Sequence, residues 1–151
     1  MSYLETNATY TGCFNLGFYP VLNSGSQTKM QVKFLVTDVS PSGDIICGTQ
    51  DASDSNDWRF FYNSSTFYYD LGSGRMWWSL PFNTIHEFEF GNYYVKDLVT
   101  SAIVKSGSTQ TANPTAPFYI FNKNGGRDYA RIYYFKYWNE SGSLVYDLIP
   151  A

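Results

Sequence analysis

The stretch Arg127-Asp-Tyr-Ala-Arg-Ile-Tyr-Tyr-Phe-Lys-Tyr-Trp-Asn-Glu-Ser-Gly-Ser-Leu-Val-Tyr-Asp-Leu-Ile-Pro150 contains two strand-forming runs separated by one polar turn. The first run is almost wholly aromatic and β-branched, which favours a strand. The break Asn139-Glu-Ser-Gly-Ser143 supplies the Asn and Gly that a short hairpin loop needs for positive φ. Pro150 cannot continue a ladder of backbone hydrogen bonds. The pattern therefore predicts a β-hairpin with strands over 130–138 and 144–149.

Lys136 indicates how the first strand of this hairpin is oriented. Side chains alternate between the two faces of a strand, and a lysine head group prefers water. The face that Lys136 shares is therefore expected to be exposed or to form an interface, and the other face to enter the core. The expected outer residues are Ile132, Tyr134 and Trp138, and the expected core residues are Tyr133, Phe135 and Tyr137.

Residues 29–38 form the clearest alternating strand, with apolar side chains on one face and polar side chains on the other. Residues 40–44 are predicted as a turn before a short strand over 45–49. Short strands over 58–62, 66–71 and 75–80 follow, with turn residues between them. This rhythm is typical of an all-β antiparallel sandwich, and helical spacing is not sustained anywhere. The predicted core includes Met30, Val32, Phe34, Val36, Phe88 and Phe135.

Length and composition restrict the possible classes of protein. The 151 residues correspond to one domain, which we place at 13–151 after a polar N-terminal arm at 1–12. Aromatic residues make up 20% of the chain and charged residues 15%, with a net charge of −3. Without a Lys/Arg cluster, nucleic acid is not an expected partner.

Targeting signals and cysteines add little to this description. We expect no secretory signal and no membrane insertion, because the N-terminus lacks a basic and an apolar region and no apolar run approaches a spanning length. Synthesis in the cytosol follows from that expectation. Cys13 and Cys47 are expected to be buried thiols, with a disulfide between them as the alternative.

Three stretches carry a resemblance to a known family. They are the closing hairpin Ala130-Arg-Ile-Tyr-Tyr-Phe-Lys-Tyr-Trp-Asn139 with Leu144-Val-Tyr-Asp-Leu-Ile-Pro-Ala151, the pair Phe14-Asn-Leu-Gly-Phe-Tyr-Pro20 and Thr28-Lys-Met-Gln-Val-Lys-Phe34, and the hairpin around Phe90-Gly-Asn-Tyr-Tyr94. Together they resemble the laminin-G-like, concanavalin A-like jelly-roll modules found in bacteriophage virion proteins and bacterial surface proteins. The resemblance implies a jelly-roll β-sandwich.

The same resemblance implies a function without catalysis. We expect a structural or adhesion module of a phage virion, in a tail, fibre or capsid-attached protein, that contacts host surface carbohydrate or other virion subunits. A secreted or surface lectin-like domain of a bacterium is the alternative from another class. A glycoside hydrolase of the same fold is the third possibility, because fold alone does not determine function.

Glu87 and Glu89 are the candidate catalytic pair. At positions i and i+2 of one strand, their side chains lie about 7 Å apart on the same face, which suits a glycosidase. Glucanases of the resembled fold use a third acid two residues further on, and this chain has Gly91 there. Alternation with bulky apolar residues is what a solvated face opposite buried His86, Phe88 and Phe90 predicts, so we predict no catalytic residues. His86, the only histidine, is interpreted as an ordinary strand residue.

An aspartate-rich loop is the candidate metal site. Asp51, Asp54 and Asp57 supply the carboxylate oxygens that Ca²⁺ prefers, and the resembled modules often bind calcium at such a rim. Their spacing departs from the Asp-x-Asp-x-Asp-Gly loop, and exposed turns have the same composition. We expect no cofactor, with calcium as the alternative.

Clustered aromatic residues suggest a sugar-binding surface, because the C–H faces of a pyranose pack on aromatic rings while polar side chains bind its hydroxyls. A protein interface has the same residue preferences and stays an alternative. Since Trp77 and Trp78 are adjacent, they point to opposite faces, and one of them is expected to be exposed. The candidate carbohydrate-binding residues are Asp54, Asp57, Trp58, Arg59, Tyr68 and Trp77.

Adhesion through sugars predicts many copies acting together. One weak sugar contact corresponds to roughly millimolar affinity, so holding a cell requires multivalency. We therefore expect a homo-oligomer or repetitive display on a particle. The candidate subunit contacts are Tyr3, Leu4 and Tyr10 in the N-terminal arm, and Tyr134 and Trp138 in the closing hairpin.

Overall fold

A computed structural model describes residues 2–6, 12–38, 40–50, 56–121 and 129–150, and the following statements refer to these residues. They form two antiparallel sheets packed face to face, and the described ranges contain no α-helix. The predicted all-β antiparallel sandwich is confirmed, and the jelly-roll topology stays a prediction. In the same ranges, no helix has the length and apolar character needed to cross a membrane.

Sheet A has the strand order β1-β12-β3-β8-β9-β10, and β13 pairs with β12 beside that path. Its central ladders join β12 to β3 and β3 to β8, so β3 lies between two long partners. The strands of sheet A are β1 (Leu4–Thr6), β3 (Lys29–Val36), β8 (His86–Gly91), β9 (Tyr94–Asp97), β10 (Ile103–Ser106), β12 (Ala130–Trp138) and β13 (Leu144–Leu148).

Sheet B has the strand order β2-β11-β4-β5-β6-β7. Strands β4 to β7 follow one another in the chain and pair in sequence, which makes an antiparallel meander that ends at the edge strand β7. The strands of sheet B are β2 (Phe14–Asn15), β4 (Ser40–Gly48), β5 (Trp58–Ser64), β6 (Thr66–Leu71), β7 (Gly74–Ser79) and β11 (Tyr119–Ile120).

Aromatic side chains from both sheets fill the space between them. Phe34 of sheet A packs edge-on against Phe60 of sheet B at 5.0 Å, and Phe60 lies 4.6 Å from Phe90. Such aromatic pairs add stability beyond the apolar area they bury. All six predicted core residues are confirmed, each with no more than 2% of its surface exposed: Met30, Val32, Phe34, Val36, Phe88 and Phe135.

The closing hairpin is confirmed as strands β12 and β13 around a polar turn. Asn139 organises this turn, because its Oδ1 accepts hydrogen bonds from the backbone N–H groups of Ser141 and Ser143. Gly142 has φ +80° and donates its N–H to the Asn139 carbonyl oxygen at 2.9 Å. A residue with a Cβ is strained at that φ, so Asn and Gly play the roles their sequence positions indicate.

The expected alternation in β12 holds only for its C-terminal half. Phe135 and Tyr137 are buried, and Tyr134, Lys136 and Trp138 lie on the other face as predicted. Ile132 is also buried, with 1% exposed, so its predicted outer position is wrong. The ladder to β3 shifts register between Ile132 and Tyr134, which lets both Ile132 and Phe135 face inward.

Two other local predictions are corrected. Residues 40–44, expected to be a turn, belong to β4, which begins at Ser40 and shifts its register against β5 before Asp44. The sequence predicts the turn between β8 and β9 at Gly91 and Asn92, whereas the structure places it at Asn92 and Tyr93, and Tyr93 takes φ +63°. Both cysteines are free thiols: Cys47 is buried and Cys13 half-buried. Burial raises the pKa of the Cys47 thiol.

Candidate functional site

The outer face of sheet B carries three cross-strand rows on β5, β6 and β7. They arise from strand alternation, because Trp58, Phe60 and Tyr62 of β5 face the core and the residues between them face outward. Strand pairing then aligns these outward residues with partners on β6 and β7. The rows are charged (Arg59, Asp70, Arg75), aromatic (Phe61, Tyr68, Trp77) and polar (Asn63, Thr66, Ser79).

The aromatic row, here called the aromatic platform, changes from covered to open along its length. Phe61 and Tyr68 are half-buried and stack on each other, with ring centroids 5.0 Å apart and planes at 13°. Trp77, on the edge strand β7, leaves 61% of its surface exposed. Its neighbour Trp78 is only 6% exposed, so the predicted opposite orientation of the two tryptophans is confirmed. The platform therefore presents one large ring to solvent.

The charged row holds its side chains in fixed positions beside the platform. The buried carboxylate of Asp70 accepts hydrogen bonds from Arg59 Nη2 at 3.0 Å and from Arg75 Nε at 2.7 Å. Arg59 Nη1 also pairs with Asp57 Oδ2 at 2.9 Å. Both guanidinium groups lie over the Phe61 ring, at 4.9 and 5.4 Å from its centroid. Charge-assisted hydrogen bonds and cation–π contacts together orient this row.

A lysine from sheet A completes the surroundings of Trp77. Lys105 of β10 places its Nζ 5.7 Å from the centroid of the Trp77 ring. The edges of the two sheets meet here because the Tyr93 ring lies against two glycines. A Cβ added to Gly74 of β7 or to Gly107 after β10 would come closer than 3.0 Å to that ring. The absence of side chains at these two positions thus lets Lys105 reach the platform.

The structure brings half of the predicted carbohydrate-binding residues together. Arg59, Tyr68 and Trp77 share the outer face of sheet B. Trp58 does not, because it alternates into the core, where it is fully buried and donates Nε1–H to the Tyr69 hydroxyl at 2.6 Å. Asp57 is also fully buried, so neither it nor Trp58 can touch a ligand on this face. Asp54 lies outside the described residues.

The candidate calcium site is only partly described, since Asp51 and Asp54 both fall outside the described residues. The third aspartate, Asp57, already pairs with Arg59 and accepts a hydrogen bond from Thr49 Oγ1 at 3.3 Å. Within the described ranges, no three His, Cys, Asp or Glu side chains are grouped so that they could hold a metal ion.

The candidate catalytic pair lies on the outer face of sheet A. Glu89 is only 8% exposed, and its carboxylate accepts hydrogen bonds at 2.7 to 3.0 Å from Tyr94 Oη, Gln31 Nε2 and Lys29 Nζ. Glu87 accepts a hydrogen bond from Tyr134 Oη at 2.6 Å and pairs with Lys33 at 3.6 Å. Both carboxylates are thus surrounded by donors from neighbouring strands.

This environment shifts the pKa values of the groups involved. Burial acts to raise the pKa of Glu89, but its hydrogen bonds with Tyr94, Gln31 and Lys29 outweigh burial, so the net pKa is lowered. Burial raises the pKa values of Tyr94 and Tyr134, and the carboxylate that each hydroxyl contacts raises them further. Glu89 therefore remains an acceptor and the two phenols remain donors at neutral pH.

His86 begins β8, in agreement with its interpretation as a strand residue. Its ring is half-buried against Phe34 and Phe88, and Nε2 lies 3.1 Å from the Pro81 carbonyl oxygen. No described Ser, Cys or carboxylate contacts this ring through a hydrogen bond. His86 therefore takes part in packing the end of the sandwich.

The candidate subunit contacts have partners within the chain. Leu4 belongs to β1, which pairs with Ala130–Ile132 and extends the edge of sheet A. Tyr3 packs edge-on against Tyr133 at 5.7 Å, and Trp138 is half-buried below Lys29 Nζ at 4.9 Å. Tyr134 donates its hydroxyl to Glu87, as described above. Tyr10 lies outside the described residues, and oligomerisation stays a prediction.

Sequence reasoning did not identify Asp70, Arg75 or Lys105. Strand alternation could have found Asp70 and Arg75. They lie near the end of β6 and the start of β7, on either side of one turn, so a hairpin places them opposite each other. No comparable signal exists for Lys105, which approaches Trp77 from the other sheet. Its position depends on how the two sheet edges meet.

Comparisons with known proteins do not place the chain in a family. No protein-family model matches the sequence, and a search of curated proteins finds no significant match. The geometry of the aromatic platform is therefore the basis on which a function is proposed.

Proposed function

We propose that this protein is a non-enzymatic adhesion module whose aromatic platform binds carbohydrate. The observation that carries the proposal is Trp77, a ring that is 61% exposed on a rigid sheet and adjoins a fixed row of charged side chains. A single exposed ring is ordinary, but Trp77 continues the row of Phe61 and Tyr68 beside oriented charges, and a contiguous surface of this kind is typical of a binding face. A pyranose ring stacks on such a surface through its C–H face.

The neighbouring polar side chains supply the second element of a sugar site. Arg75 lies two residues before Trp77 on the same face of β7, and 49% of its side chain is exposed. Because Asp70 already orients this guanidinium, little side-chain entropy is lost when a hydroxyl group binds beside the ring. A single site of this kind binds weakly, so adhesion would require repeated copies.

The surroundings of Glu87 and Glu89 on the outer face of sheet A favour a function without hydrolysis. A glycosidase needs a general acid with a raised pKa and a second carboxylate that faces the substrate. Glu89 is covered and its pKa is lowered, and Glu87 is held by Tyr134 and Lys33. Glu89 therefore lacks both access and a raised pKa, and the Glu87 carboxylate is already engaged by two donors.

The proposed setting is the surface of a phage particle, where the module contacts host glycans or other virion subunits. This part rests on the resemblance of the closing hairpin to modules of virion proteins. A secreted or surface-bound lectin-like domain of a bacterium is the alternative setting for the same binding site. Mass spectrometry of purified particles distinguishes them, because only a virion protein co-purifies with capsid and tail subunits.

Glycan binding tests the site directly. On a glycan array the wild-type protein, displayed in many copies on beads, is expected to bind a subset of glycans. Trp77→Ala should lose about tenfold in affinity, since stacking on one aromatic ring is worth about 1.4 kcal/mol, which corresponds to a factor of ten. Tyr19→Ala is the matched control, because Tyr19 is an exposed ring (58%) away from the platform. Equal binding by wild type and Trp77→Ala would refute the proposed site.

The absence of catalysis is tested separately. Incubation with a panel of polysaccharides is expected to release no reducing ends with the wild type. Turnover that Glu87→Gln or Glu89→Gln abolishes would establish a glycosidase and overturn the proposal.

A further inference from the structure

We infer that the carbohydrate bound at the aromatic platform is anionic, a glycan that carries carboxylate groups. This inference rests on the proposed function and adds the chemical class of the ligand. It follows from the signs of the charges that reach solvent around Trp77.

The carboxylates near the platform are covered, whereas two of the three described cations beside it, Arg75 and Lys105, are exposed; the third, Arg59, has 12% of its side chain exposed. Asp57 and Asp70 have 0% and 4% of their side chains exposed, beneath Arg59 and Arg75. Arg75 is 49% exposed and Lys105 is also exposed. The ligand-facing part of this surface is therefore positive, although the whole chain carries a net charge of −3.

Lys105 is the side chain whose position most favours an anion. Its Nζ lies 5.7 Å from the Trp77 ring centroid, and no described carboxylate lies within ion-pair distance of it. In contrast, Lys29, Lys33 and Lys136 on the outer face of sheet A each pair with a carboxylate. A lysine directed at an open ring, rather than at an acidic partner, suits a ligand that brings its own negative charge.

The spacing fits a sugar acid stacked on Trp77. Arg75 and Trp77 are two residues apart on one face, a separation of about 7 Å, and Lys105 approaches the ring from β10. The carboxylate of a hexuronic acid projects from the edge of its ring. When that ring stacks on Trp77, its carboxylate lies near Arg75 or Lys105, and both cations strengthen binding.

Matched pairs of charged and uncharged glycans test whether the ligand's charge contributes to binding. The probes are oligogalacturonate and a panel of other carboxylated oligosaccharides, each beside its carboxyl-reduced form, which has the same linkages without the charge. The wild type is expected to bind at least one carboxylated member about tenfold more tightly than its reduced form, and to lose this preference as sodium chloride is raised.

Variants of Lys105 identify the responsible charge. Lys105→Gln should lose most of the preference for the charged glycan while retaining binding to the reduced form, and Lys105→Arg should keep the preference. Lys96→Gln, which removes a lysine charge from the neighbouring strand β9, is the matched control for net charge and should bind like the wild type.

The outcomes separate the two proposals. Equal binding of charged and reduced glycans by the wild type, lost in Trp77→Ala, would overturn the anionic ligand and leave the proposed function intact. An unchanged preference in Lys105→Gln would overturn the assignment of the ligand's carboxylate to Lys105. If no glycan, charged or neutral, binds to the wild type, the proposed function fails and the inference fails with it.

Discussion

The outer faces of sheet A and sheet B both combine aromatic and charged side chains, but they differ in how much of this chemistry faces solvent. On sheet A, Glu89 is enclosed by three donors and is 8% exposed. On sheet B, the charged row is equally well paired, yet Trp77 beside it is 61% exposed. Sheet A thus uses its polar groups to hold neighbouring strands together, and sheet B leaves a large aromatic ring open to solvent.

Strand position explains this difference. Glu87 and Glu89 lie on β8 between two partner strands, and the register places Lys33 opposite Glu87 and Gln31 opposite Glu89. Each carboxylate therefore has donors on the adjacent strand. Trp77 lies on β7 at the edge of sheet B, where β6 covers one side only. In the middle of a sheet, a side chain has neighbours on both adjacent strands, whereas at the edge it has neighbours on one side only.

The largest expected effect is the loss of stability when Glu89 is removed. Glu89→Ala leaves the Lys29 ammonium, the Gln31 amide and the Tyr94 hydroxyl without their shared acceptor. We expect the free energy of unfolding to fall by about 2–4 kcal/mol, measured by urea denaturation. Trp77→Ala should change it by less than about 1 kcal/mol, because an exposed ring adds little to folding.

A surface carboxylate provides the control for this comparison. Glu5 pairs with Arg131 at 3.0 Å but is 28% exposed, so Glu5→Ala should cost less than about 1 kcal/mol. If Trp77→Ala destabilised the protein as much as Glu89→Ala, the platform would be a structural element and the contrast between the two faces would disappear.

The next effect concerns the contact between the two sheet edges. Gly107→Ala places a methyl group closer than 3.0 Å to the Tyr93 ring, so the ring and β10 must move apart. Overpacking of this kind costs about 1–3 kcal/mol, and we expect the lower end because Gly107 is exposed. The displacement should also alter the tryptophan fluorescence of the protein, because it moves Lys105 relative to Trp77.

Gly12→Ala is the matched control, since nothing lies within 4 Å of a Cβ added at Gly12. Unchanged stability and fluorescence in Gly107→Ala would show that Lys105 reaches Trp77 without the close approach of Tyr93.

The sequence predicts the sandwich and its core because those depend on local alternation and turn chemistry. Asn139 and Gly142 determine the closing turn, and the alternation of β3 identifies Met30, Val32 and Phe34 as core. The orientation of Ile132 was not predictable in the same way. A bulge reverses the alternation there, and it arises from pairing with β3, almost a hundred residues earlier in the chain.

The candidate site was only partly predictable for a similar reason. Trp58 and Arg59 are adjacent, so only one of them can share a face with Tyr68 and Trp77, and sequence composition does not say which. Strand pairing places Arg59 on the outer face and Trp58 in the core. Lys105 is distant in sequence from Trp77, and its approach depends on the meeting of two sheet edges.

A smaller effect on the free energy of unfolding is expected at acidic pH, and it arises from Glu89 on the outer face of sheet A. The folded-state pKa of Glu89 is lowered, so its contribution to stability is present above the unfolded pKa, near 4.5, and is lost as pH falls through the folded value. Glu89→Gln removes this titration, so its stability should depend less steeply on pH below that point than the wild type's. The measurement is the urea midpoint as a function of pH. Parallel curves would show that Glu89 titrates alike in the folded and unfolded states.

The smallest expected effect is at alkaline pH, where Tyr94 tests the same network from the donor side. Burial, together with the Glu89 carboxylate, raises the pKa of Tyr94 in the folded protein. The resulting stability is present below the unfolded pKa, about 10, and is lost as pH rises toward the folded value, because only the unfolded chain can ionise easily. Tyr94→Phe removes this ionisation and one hydrogen bond, worth about 0.5–1.5 kcal/mol at neutral pH. Its deficit relative to the wild type should therefore shrink as pH rises above about 10. The measurement is urea denaturation of both proteins at neutral pH and above about pH 10. A deficit that stayed constant would mean that ionisation of Tyr94 does not affect the stability of the folded protein.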